Sequence, residues 1–155
     1  MKKYLFALTL FFALAVSQAA FASDWRPVDG SKDVFWNAEG LKYITDNKGN
    51  KIDGDLVVVS VRRPMSKEVV QKLADSQTDA KIKAEVLQTT HEVRNFCYSL
   101  SQNKVSYVGA FLVTKDEVIV GQQEVMSDFT SIPSNTAVEK IYNYLKAEAA
   151  AGRIK

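Results

Sequence analysis

The chain is poor in the residues that most often carry chemistry. It holds one cysteine, Cys97, and one histidine, His91, in 155 residues. A single cysteine makes no internal disulfide, whatever the redox compartment. A lone histidine has no second strong ligand at metal-site spacing, so no metal and no cofactor are expected. There is no G-x-S-x-G, no phosphate-binding glycine loop and no H-E-x-x-H. Charge of one sign is lacking as well. The excess of 20 Lys+Arg over 18 Asp+Glu is made up by Lys2 and Lys3, and the two signs balance from position 23 onward. Clustered positive charge would mark a nucleic-acid partner, and none is expected here. Beyond position 22 no apolar stretch approaches the roughly 20 residues of a membrane-crossing helix.

What is present begins with an address. Lys2 and Lys3 precede an apolar run over 4–16, and Ala20-Phe21-Ala22 sets small residues where a signal peptidase reads. That is the layout of a cleavable secretory signal. The expectation is a signal peptide over 1–22, cut between Ala22 and Ser23, and a single domain over 23–155. No cysteine stands at the cleavage site, so a lipoprotein anchor is not expected. The product would be periplasmic, secreted or cell-surface. Its 133 residues are enough to bury a real core.

Short β-prone pieces are expected at 25–28, 33–37 and 41–44, before a polar Asn/Asp/Gly hairpin or loop at 46–55. The clearest strand is 56–63. Val57, Val59 and Val61 share one face, and Ser60 and Arg62 the other, which is the period-2 pattern of a half-buried strand. Ser66 caps a helix reaching about 76–77, with Val69, Val70 and Leu73 at helical spacing. The stretch 78–86 reads equally as helix or loop. Three segments, 87–100, 105–114 and 117–125, are joined by turns too short for anything but antiparallel pairing. The middle one is apolar on both faces and should be central. Thr136 and Glu139 have capping-box spacing, and Val138, Ile141, Tyr142 and Leu145 then fall on one helical face running to about Ala150, with Gly152 as the stop. The fold class is therefore α+β: an antiparallel meander with a C-terminal amphipathic helix packed on one face and a shorter mid-chain helix.

His91 and Cys97 point to the same face of a continuous strand. Six residues span about 20 Å at ~3.3 Å each, beyond the reach of a nucleophile–base pair. A buried cysteine that packs as a small apolar residue is the simpler reading. The loop at 46–55 invites a calcium reading, but Lys48, Lys51 and Val57 stand at the third, sixth and twelfth positions counted from Asp46.

One resemblance spans nearly the whole of 23–155. It rests on Trp25, the run Phe35-Trp36-Asn37-Ala38 and the valine strand at 56–63. It continues with His91-Glu92-Val93-Arg94, the strand around Tyr107, and Ile132-Pro133-x-x-Thr136-x-x-Glu139-x-Ile141-Tyr142 opening the last helix. In these features the chain resembles the surface-adhesin protein E-like family of small exported bacterial domains. The resemblance implies a helix lying across an antiparallel sheet. It also implies a disulfide from the middle strands to that helix, for which Cys97 has no partner, because the helix position near Lys146 is not a cysteine. Members include lipid-anchored adhesins that bind host matrix proteins and sometimes haem.

Three readings follow. The first is an exported, non-catalytic binding module of the bacterial envelope, which the resemblance would make adhesin-like, with an unidentified protein partner. The second is a small secreted enzyme with an unrecognised site using His91 or acidic residues. The third is an accessory subunit of an envelope complex. On the first reading the contact surface is the sheet face away from the last helix together with the loop at 46–55, and Arg62, Arg94 and Trp36 are the first candidates for contact.

Overall fold

A computed structural model of the chain describes residues 24–52 and 55–155. The expected signal peptide and its cut site at Ala22 and Ser23 lie outside the described residues. Among the described residues seven strands form one sheet: β1 (Trp25–Pro27), β2 (Phe35–Asn37), β3 (Leu56–Pro64), β4 (Thr89–Ser99), β5 (Lys104–Thr114), β6 (Ile119–Glu124) and β7 (Thr130–Ser131). Strands β1 to β6 follow one another in space as in sequence, each antiparallel to the next. The two-residue β7 adds to β5 at Lys104 and Val105, beyond the stretch that β6 covers. An α+β fold with a meander-like sheet is what the short connections dictated. The β-prone piece at 41–44 makes only an isolated bridge, Tyr43 to Val57.

Between β3 and β4 the single helix expected becomes two, α1 (Lys67–Asp75) and α2 (Ala80–Val86). Ser66 and Asp79 cap them, each side chain accepting from backbone N–H groups of the first turn. Lys83 reaches Asp75 at 2.8 Å across the pair, and α2 also packs against β6.

The third helix, α3 (Ala137–Ala150), has the cap its sequence announces. Thr136 Oγ1 accepts from Glu139 N–H at 3.3 Å, and the Glu139 carboxylate accepts from the N–H of Asn135 at 2.7 Å. Its buried residues are Ile141, Tyr142 and Leu145. They lie on Val57, Val59, Val61, Tyr98 and Val105, one face of β3, β4 and β5. Tyr98 stacks on Tyr142, and its hydroxyl donates to the Val138 carbonyl at 3.3 Å. Gly152, at φ +69°, lets the chain leave the helix in a conformation that a side chain would resist.

The opposite sheet face is not open. At one end Leu56, Cys97 and Val108 are buried under Ile44, Ile52 and Phe129; at the other, Val93, Phe111 and Val113 are buried under Trp25 and Ile119. Trp25 comes from β1 and Ile119 from β6, strands at the two ends of the β1–β6 order. This cover corrects the expectation of a free recognition surface there. The apolar residues on the second face of β5 need cover as much as those on the first.

Candidate functional site

The register decides which candidate side chains can meet. On β3, Val61 pairs with Arg94 of β4 and Arg62 pairs with Val93. Neighbours in a strand point to opposite faces, so Arg62 and Arg94 are on opposite sides of the sheet. Trp36 pairs with Val61, which puts it on the α3 side with Arg94. Of the three candidates, two share a face and one does not.

On the α3 side, one cross-strand row runs Arg26, Trp36, Val61, Arg94, Ala110, Gln123, and the next runs Arg63, Glu92, Leu112, Gly121. Trp36 is 5% exposed and meets the Tyr144 ring of α3 edge-on at 4.7 Å, so it is core under the helix and presents no free surface. Arg94 lies outside that cover. Arg63 Nε donates to Glu92 Oε2 at 2.8 Å, and Arg94 Nε sits 3.0 Å from the same oxygen in an ion pair that is not aligned as a hydrogen bond. Two guanidiniums thus share one carboxylate. Glu92 is held down between them, while both arginines stay substantially exposed. The Arg94 guanidinium stands 6.0 Å from the Tyr107 ring, and Tyr107 packs 5.8 Å from Phe96. Burial, then the Glu92 charge, push the Tyr107 phenol upward, and Arg94 and Arg63 pull against that. These residues form one electrostatic unit, a net-positive and aromatic patch on three rigid strands.

On the other side Arg62 joins a different group. Its Nη1 donates to Glu117 Oε1 at 3.0 Å, and Glu117 Oε2 lies 3.5 Å from His91 Nε2. His91 Nδ1 lies 3.0 Å from the Thr90 hydroxyl. Glu117 reaches inward from the β5–β6 turn in the left-handed region, at φ +60°, a conformation that costs a non-glycine residue of order 1 kcal/mol or more. His91 is 4% exposed. Burial, then the Arg62 charge, lower its pKa, while Glu117 opposes. The imidazole is therefore neutral at neutral pH, with Thr90 and Glu117 on its two nitrogens. Sequence reasoning missed both. Thr90 occupies an irregularity between Thr89 and His91, and Glu117 belongs to a turn that reads as the start of a strand.

Cys97 lies on the same face of β4 as His91, six residues along an unbroken strand. It is 1% exposed, and burial pushes its thiol up to about 12. A thiol so placed is protonated at neutral pH and is no nucleophile. In the loop after Ile44, the Asp46 carboxylate accepts from the N–H groups of Lys48 and Asn50 and from the Asn50 amide. These bonds, first those from Asn50, hold its pKa down. The carboxylate serves the turn itself. Among the described residues no helix is long and apolar enough to cross a membrane.

No family model, no curated protein and no solved structure matches the chain.

Proposed function

We propose that the chain is an exported, non-catalytic binding module of the bacterial envelope, and that it grips a protein partner through the patch of Arg63, Arg94, Phe96 and Tyr107. The observation that carries this reading is the pair of guanidiniums held on one buried carboxylate beside two aromatic rings. Glu92 fixes both arginines without neutralising both, so one positive charge is left to offer. The rings supply contact area at little entropic cost, and Arg and Tyr are the residues most often found at binding hot spots. The signal-like start and the adhesin-family resemblance point the same way.

The test is capture from an envelope extract by the protein spanning 23–155, followed by affinity measurement with the captured partner. Arg63→Ala and Arg94→Ala each leave Glu92 with one arginine, so the fold should survive. Each should weaken capture about tenfold or more, a little over 1 kcal/mol. Unchanged affinity in the double variant would sink the assignment.

The contact of Thr90 with His91, and of His91 with Glu117, is the one observation favouring the enzyme reading. It has the order of nucleophile, base and orienting carboxylate. Arg62, however, holds Glu117 more closely than His91 does, which draws the carboxylate away from the base. Hydrolysis of an activated ester that His91→Ala abolishes, with an unchanged melting curve, would replace the binding reading with this one.

A further inference from the structure

The arginine patch keeps most of its donors uncommitted. Arg63 gives Glu92 only its Nε, and Arg94 makes no aligned hydrogen bond among the described residues. Both guanidiniums close on the same oxygen, Glu92 Oε2, at 2.8 and 3.0 Å. Their Nη1 and Nη2 groups donate to no described residue, and the two side chains are 46% and 36% exposed. A guanidinium approached by its partner only at Nε has its outer fork open. Such a fork takes a carboxylate through two parallel bonds.

The rings beside that fork are placed by a backbone irregularity. Asn95 pairs with Gly109 and Phe96 with Tyr107, so Val108 is the extra residue of a β-bulge in β5. Gly109 sits next to it at φ +151°, a conformation that a side chain would resist. Without the bulge, alternation from Leu112 and Ala110 would bring Val108 to the α3 side and turn Tyr107 away. With it, Val108 enters the core of the second face, and Tyr107 stands with Phe96 and Arg94. Bulges re-aim side chains in this way beside functional sites. Both rings are half-buried, so each keeps part of its surface for contact.

Resting on the reading of this patch as a partner surface, we propose that its occupant is an acidic-aromatic segment of the partner. One glutamate or aspartate side chain lies on the Arg94 fork, and an aromatic residue next to it in the partner packs on Tyr107 and Phe96. A carboxylate is the anion that a protein carries without modification, and it complements the net-positive patch.

The probe is a capped tripeptide of phenylalanine, glutamate and phenylalanine. It is titrated into the protein spanning 23–155 and followed by the Tyr107 ring and Arg94 Nε signals in NMR spectra. It should bind saturably and shift both. Glutamine in place of its glutamate, or glycine in place of both phenylalanines, should weaken binding about tenfold. Arg94→Lys keeps the charge and loses the fork. It should weaken the glutamate peptide about fivefold and leave the glutamine peptide unchanged, with an unchanged melting curve. Equal binding of the glutamate and glutamine peptides, indifference to Arg94→Lys, or no saturable binding would each overturn the assignment. Binding to phosphatidylglycerol vesicles in preference to phosphatidylcholine ones, abolished by Arg63→Ala with Arg94→Ala, would overturn it in favour of a lipid surface. If that double variant loses the captured partner while the glutamate peptide does not bind, this occupant is wrong and the surface stands. If the double variant keeps the partner, the surface falls and the occupant with it.

Discussion

Leu145→Ala should be the sharpest single test of the architecture. Leu145 is 0% exposed, in the middle of α3, within the cluster built on Val57, Val59 and Tyr98. A helix of 14 residues is marginal on its own in water, so α3 depends on that contact. Removing a fully buried leucine side chain costs its transfer free energy and leaves a cavity, together about 2–5 kcal/mol. The site has little room to relax, because the stacked Tyr98 and Tyr142 rings tie helix to sheet beside it, and the Tyr142 hydroxyl is anchored at the Leu100 carbonyl and the Asn103 side chain. At least the middle of that range is therefore expected, about 3–4 kcal/mol. For a domain of this size about 1 kcal/mol moves Tm by roughly 4 °C, so Tm should fall by about 12–16 °C. Asn143 faces solvent one turn-step away, and Asn143→Ala should move Tm by no more than a degree or two. Circular dichroism melts and urea midpoints of both variants measure this. If Leu145→Ala behaves like Asn143→Ala, α3 does not dock on the sheet and the fold described is wrong.

Acidification should destabilise the domain through His91. Its pKa is lowered in the folded state, so the unfolded chain takes the proton first. Stability is full above the ordinary histidine value of about 6.5 and is lost as pH falls through and below it. Arg62 opposes the new charge and Glu117 favours it; His91→Gln should flatten the urea midpoint between about pH 7 and pH 5, and an unchanged slope would refute the assignment. Cys97, 1% exposed with its thiol pushed up to about 12, should react with a thiol reagent only as fast as the domain opens. Stoichiometric labelling of the native protein within seconds would show that the second core is not closed.

The elements legible in the sequence are those whose apolar residues repeat at one period over a long run. The valines of β3 and the stripe of α3 each repeat at one period over enough residues to name both the element and its inward face. The order β4, β5, β6 was legible because its turns are short. Helix α2 was not, because it buries only Val86 and shows no stripe; its start is set by one side chain, Asp79, whose meaning depends on the chain already turning there. The candidate site failed for a related reason. Within a strand, parity is free information, so Arg62 could be set against Val61 at sight. Between strands, parity depends on register. No tight turn sets the register of β3 on β4, because the 24 residues carrying α1 and α2 connect them. A slip of one residue would have placed Arg94 beside Arg62 and turned His91 to the opposite face. The observed pairing instead turns Arg94 outward to Arg63 and Glu92, and leaves Arg62 to Glu117, a residue 55 positions away. A separate pairing, of β2 on β3, seats Trp36 beneath Tyr144. The arginine patch is therefore a consequence of the β3–β4 pairing, and a cysteine pair engineered at Val61 and Arg94 would report on it directly. These residues face each other on neighbouring strands, at the Cα separation of about 4.5–5.5 Å that a disulfide accepts. Val61→Cys with Arg94→Cys should oxidise to a monomer with one bond, whereas Arg62→Cys with Arg94→Cys, on opposite faces, should not; the reverse outcome would overturn the register and the arginine patch with it.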